Sequence, residues 1–117
     1  MNTNQVAGNG QGTEVVIFLP HLDDDGIPLP VGQIASAVNG AVHVVAALCG
    51  GQAMIFVGEF EWPESGDREI LTQVVGLSPR TFDWADRGLL RSYGVLTLDM
   101  LDYPRLAIYL NGELLAI

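Results

Sequence analysis

The sequence contains no lysine, and its five arginines, the first of them Arg68, face fourteen acids for a formal net charge of −9. Eight of those acids (Glu14, Asp23, Asp24, Asp25, Glu59, Glu61, Glu64 and Asp67) precede any base. Without lysine there is no Schiff-base nucleophile and no phosphate-gripping P-loop lysine. Without a basic patch there is little to displace counterions from phosphate, so DNA, RNA and anionic membranes are excluded as expected ligands. The single cysteine, Cys49, cannot form an internal disulfide, in keeping with a reducing compartment. No apolar run approaches the roughly 20 residues of a membrane span, and "MNTNQVAGNGQG" has neither the basic start nor the apolar stretch of a signal peptide. The expected setting is the cytoplasm, or a virion if the chain is a phage component.

What is present is apolar: 49% of the 117 residues are hydrophobic, enough for a core in one domain. Residues 1–12, rich in Gly, Asn and Gln, read as an N-terminal arm that is flexible or ordered by a partner, and 13–117 as a single domain. "TEVVIFLP" predicts a buried strand and "HLDDDGIPLP" a loop. "VGQIASAVNG" predicts a short helix stopped by Asn39-Gly40. "AVHVVAALC" and "QAMIFVGEF" predict a hairpin about Gly50-Gly51. The spacing of Ile70, Leu71, Val74 and Val75 predicts a helix capped by Ser65 or Asp67, and "SPRTFDWADRGLLRSYG" a second one capped at Ser78 and stopped by Gly94. "VLTLDML" then alternates as a half-buried strand should. The expected fold class is α+β: a small single domain with a mixed or mainly antiparallel sheet, two or three helices and a C-terminal β-hairpin.

That hairpin, "RLAIYLNGELLAI", carries the strongest turn signal in the chain, Asn111-Gly112. A two-residue loop there pairs Tyr109 with Leu114 and Leu110 with Glu113. One face then holds Leu106, Ile108, Leu110, Leu115 and Ile117; the other holds Ala107, Tyr109, Leu114 and Ala116. Both are apolar, which calls either for cover on two sides or for a partner docked on one.

The constellations that could carry chemistry are generic. In "HLDDDG", Asp23, Asp24 and Asp25 lack the D-x-D-x-D-G spacing of a calcium loop, so a solvated acidic loop is expected and no metal. His21, His43 and Cys49 form no compelling nucleophile–base set, and Cys49 reads as small core packing. "EFEWPESGDRE" gathers Glu59, Glu61, Glu64, Asp67 and Glu69 around an exposed Trp62. Paired acids can do acid–base work, but an acidic rim about an aromatic anchor better describes a protein-binding patch.

"YGV" followed by "YPRLAIYLNGELLAI" resembles the end of a thioredoxin-like domain, over about a fifth of the chain. The resemblance implies a strand, a Pro turn and a closing hairpin. The chain departs from that pattern in the long gap after Val95, the lack of a closing helix and the lack of Cys-x-x-Cys, which leaves thiol–disulfide exchange nothing to run on.

The expectation from sequence is a non-enzymatic structural subunit of a larger protein assembly, a phage or viral virion component being one setting. It binds protein, by self-association or to other subunits, through the arm and the hairpin. Trp62, Tyr109, Leu114, Ile117, Asp23, Asp24 and Asp25 are the expected contact residues, with no catalytic residue and no cofactor. The alternatives are a small acidic inhibitor or immunity-type protein with a basic partner and, third, a thioredoxin-like domain without the redox cysteines.

Overall fold

The computed structural model describes residues 12–117; the expected arm lies, but for Gly12, outside the described residues. The domain is α+β, with a five-stranded antiparallel sheet and two helices. The strands are β1 (Thr13–Pro20), β2 (Met54–Glu61), β3 (Arg68–Ser78), β4 (Ala107–Leu110) and β5 (Glu113–Leu114), in the order β2-β3-β1-β4-β5. The helices are α1 (Val31–Leu48), between β1 and β2, and α2 (Trp84–Met100), between β3 and β4. Both pack on the same face of the sheet.

β1 is central, and its β-branched and aromatic residues suit a strand buried on two sides. Val15, Ile17 and Leu19 point to the helices and are fully buried; Phe18 is buried on the opposite face. The period-2 alternation continues in β3, where Thr72, Val74 and Gly76 face the helices and Glu69, Leu71 and Gln73 face away.

Residues 31–48 form one 18-residue helix rather than a short helix followed by a strand. The buried positions Ala37, Ala41, Val44, Val45 and Leu48 recur as a helical stripe. Gly40 does not stop it: a Cβ there would lie 3.0 Å from the Tyr93 ring, so this glycine permits the close approach of α2. Tyr93 fastens the crossing by donating its hydroxyl to the Ala37 carbonyl at 2.8 Å. By length and composition α1 is apolar enough to cross a membrane, yet its stripe is part of the domain core. Gly50 and Gly51, both at positive φ, end this helix instead of making a hairpin turn.

Two more expectations are corrected. Residues 68–78 are a strand, since the Ile70, Leu71, Val74, Val75 spacing also fits a strand with apolar residues on both faces. α2 starts later than Ser78, at an Asp83 cap whose carboxylate accepts from the Asp86 N–H at 2.9 Å, while Asp86 returns the contact to the Asp83 N–H at 3.0 Å. It then runs through Gly94 to Met100, absorbing both "YGV" and the strand expected in "VLTLDML". Tyr93-Gly94-Val95 therefore lies inside a helix, which breaks the thioredoxin-like pattern.

The hairpin forms at the expected turn and register but is shorter than expected, its last strand ending at Leu114, so the expected pairs Ala107–Ala116 and Leu106–Ile117 do not form. Tyr109 pairs with Leu114 and Leu110 with Glu113, with Asn111 and Gly112 at positive φ. Ile108, Leu110 and Leu115 enter the core beneath the helices. Tyr109 and Ala107 point to the other face of the sheet.

Candidate functional site

Among the described residues no helix covers the second face of the sheet, and one cluster on it joins aromatic rings to opposite charges. Phe18 from β1 stacks on Trp62 at 5.7 Å between ring centroids and meets Tyr109 of β4 edge-on at 5.4 Å. Leu71 and Ala107 fill the floor between them. Trp62, expected to be exposed, is buried, because the β2–β3 turn folds it back over the sheet. The turn is closed by Trp62 N–H to the Asp67 carbonyl and Gly66 N–H to the Trp62 carbonyl, both 2.8 Å, with Gly66 at positive φ.

Glu69, at the start of β3, brings a carboxylate into this apolar setting with its side chain only 17% exposed. Its Oε2 accepts the Trp62 indole N–H at 2.7 Å and a second hydrogen bond from Arg105 Nη2. Arg105 approaches from the loop between α2 and β4 and lays its guanidinium over the Trp62 ring, 4.7 Å from the centroid. Its Nε is buried without a hydrogen-bond partner among the described residues; Asp24 Oδ1 lies 4.0 Å away. On the other wall Tyr109 donates to Glu64 Oε2 at 3.3 Å. Burial, followed by the Glu64 charge and hydrogen bond, pushes the Tyr109 phenol up, so it remains a donor. A cation held against an indole face and a carboxylate is bound by two attractions that strengthen where water is excluded.

The expected contact residues are thus divided. Trp62 and Tyr109 are walls of this cluster, and Asp24 stands at its edge through Arg105. Leu114 is half-exposed on the same face of the sheet as Tyr109. Ile117 packs instead against Gly94 of α2. Asp23 serves its own loop, its Oδ1 accepting from the Asp25 and Ile27 N–H groups at 2.8 and 2.9 Å, and Asp25 is exposed. Glu64 and Glu69 were visible in sequence only as part of an acidic run. Phe18 and Arg105 were missed, since nothing local connects them to residue 62.

The helix side holds a concavity of about 360 Å³ between α1 and β2, lined by Val31, Ile34, Val38, Ile55 and Val57 together with His21 and Thr72. His21 Nε2 lies 2.7 Å from Thr72 Oγ1, and burial lowers the imidazole pKa, favouring the neutral ring. This cavity has no charged wall. His43 sits on exposed helix surface against the Asn39 carbonyl, and burial pushes the thiol of Cys49 up, which suits packing and not nucleophilic attack. Among the described residues no three His, Cys, Asp or Glu side chains converge on a metal position.

No protein-family model and no curated sequence matches the chain. Its fold is that of phage SAM lyase. One solved structure of that enzyme, in complex with S-methyl-5'-thioadenosine, superposes with a TM-score of 0.51 at 14% identity, covering 92% of this chain and 87% of the other. Another, in the apo state, gives 0.52 at 14% identity, covering 90% and 85%. The likeness overturns the expectation of a non-enzymatic assembly subunit or inhibitor: the architecture shared over nearly the whole length is an enzyme's. Of the acids gathered around Trp62, two are drawn into the cluster: Glu69 by the indole and the Arg105 guanidinium, and Glu64 by the Tyr109 phenol.

Proposed function

We infer that the chain is an enzyme that binds an adenosyl sulfonium of the S-adenosylmethionine type and cleaves its bond between sulfur and the amino-acid side chain. The observation that carries this reading is Glu69, a carboxylate sunk against the Trp62 indole on the face of the sheet away from α1 and α2, in a fold shared with phage SAM lyase. A sulfonium carries one diffuse positive charge, and the methyl and methylene groups bonded to its sulfur are apolar. An aromatic wall beside a carboxylate matches both properties.

Cleavage that releases S-methyl-5'-thioadenosine breaks one carbon–sulfur bond and leaves the electron pair on sulfur. The electron demand at carbon is met within the substrate by closure of its own carboxylate onto that carbon: a carbon–oxygen bond forms as the carbon–sulfur bond breaks, giving a lactone and the neutral thioether with no water consumed and no proton transferred. Positive charge disappears as the bond stretches, so a carboxylate beside sulfur stabilises bound substrate more than transition state. Glu69 accordingly serves binding and selection of the cation, and Phe18, Trp62 and Tyr109 serve orientation.

The test is to incubate the purified chain with S-adenosylmethionine and follow the thioether nucleoside by chromatography. Formation of S-methyl-5'-thioadenosine in step with substrate loss is expected. Neither turnover nor binding of either compound at millimolar concentration would sink the proposal.

A further inference from the structure

We propose that Arg105 is an internal stand-in for the ligand's cation: its guanidinium occupies the place against Trp62 and Glu69 that an organic cation takes, and an incoming cation displaces it. The inference rests on the reading of this face as a cation-binding site. The seat is demonstrably suited to a cation, because one already sits there, over the indole ring and hydrogen-bonded to the carboxylate oxygen that also holds the indole N–H.

Three features make the guanidinium a removable occupant. Its Nε lacks a hydrogen-bond partner, so the fit uses only part of the five-donor fork that makes buried arginine pairs tight. The side chain is 40% exposed, which leaves a way out. Asp24, 76% exposed and 4.0 Å from Nε, offers a second anchor outside the ring face. Residue 105 also belongs to the connection between α2 and β4, outside both elements.

The exchange has a directional consequence. A sulfonium replaces the attraction that Arg105 gives up, whereas a neutral thioether does not. Once the carbon–sulfur bond is broken, the product loses its claim on Glu69 and the guanidinium returns. Arg105 thereby selects charged substrate over neutral product and helps to expel the latter.

Nuclear magnetic resonance reads this directly through the indole N–H of Trp62 and the Nε–H of Arg105. Tetramethylammonium, S-adenosylmethionine and S-methyl-5'-thioadenosine are titrated into the parent chain and into Arg105→Met. Removing the resident cation should tighten tetramethylammonium binding about ten-fold, the equivalent of one partly desolvated cation–π contact, and tighten the neutral thioether as well. In the parent, saturating S-adenosylmethionine should shift the Arg105 Nε–H and the thioether should not.

Weaker cation binding in Arg105→Met would overturn the idea and make the guanidinium a ligand anchor instead. An unmoved Arg105 Nε–H in the saturated parent would overturn it too, and that measurement holds even if the variant does not fold. If S-adenosylmethionine fails to bind while tetramethylammonium behaves as stated, the proposed substrate is wrong and the displacement stands.

Discussion

Replacing Gly76 by alanine places one methyl group where the structure has no room for it. A Cβ built there lies 2.3 Å from Val45 Cγ1, 2.8 Å from Cys49 Sγ and 3.2 Å from Cys49 Cβ. Comfortable carbon–carbon contacts fall at about 3.5–4.0 Å, so more than an ångström of relief is needed. Neither side can rotate away, because the new atom is fixed to the central part of β3 and Val45 is fully buried. Overpacking of this kind costs about 1–3 kcal/mol, and the lower backbone entropy of alanine returns about 0.5–1 kcal/mol. A net loss of about 1 kcal/mol is expected, or a fall in Tm of about 4 °C for a domain this size. Urea unfolding measures it, with Gly88→Ala as the matched control. Nothing lies within 4 Å of a Cβ at Gly88 in α2, so the same change there should stabilise by about 0.5–1 kcal/mol. Val45→Ala combined with Gly76→Ala should recover part of the loss through a favourable coupling. A neutral or stabilising Gly76→Ala would refute the packing of α1 on β3 described above.

Glu69→Gln should lower the preference for S-adenosylmethionine over the uncharged thioether about ten-fold, by weakening the first and, through a looser Arg105, tightening the second; an unchanged ratio of the two affinities would contradict a charge-selective role. His21, whose pKa burial lowers from 6.5, binds a proton more readily in the unfolded chain, so its contribution to stability is complete above pH 6.5 and is lost as pH falls below it. Denaturant midpoints from pH 7.5 to 5 should decline for the parent and flatten in His21→Gln; parallel curves would show that another group is responsible. Leu114→Lys should leave the circular dichroism spectrum intact and shift stability by less than about 0.5 kcal/mol, since the side chain is half-exposed and faces away from the helices. An unfolded product would mean that this face is core.

The α+β class, β1, the Asp-rich loop and the register of the closing hairpin could be read from sequence, because each rests on local chemistry: β-branched runs, turn formers, and Asn-Gly at positive φ. The helix α1 could not. Val42, Val44 and Val45 favour a strand locally, and only the sheet beneath and Tyr93 beside Gly40 decide for a helix. β3 failed in the opposite sense, since apolar pairs spaced by four residues satisfy either period when both faces of a strand are covered. At the candidate site the acids around Trp62 were visible, but their meaning depends on Arg105 and Phe18, which reach them only through tertiary structure.

The strand order also sets a timetable. β2 and β3 are neighbours in sequence and in space and can zip together locally, but β1 must wait for partners from far along the chain, down to a hydrogen bond between Glu14 and Asn111, 97 positions apart. Such long closures are entropically slow. During synthesis, α1 emerges before the β3 and β4 surfaces that complete its core. For that interval an 18-residue apolar helix has only the unpaired β1 to lie against, which makes it the segment of the nascent chain most in need of chaperone cover.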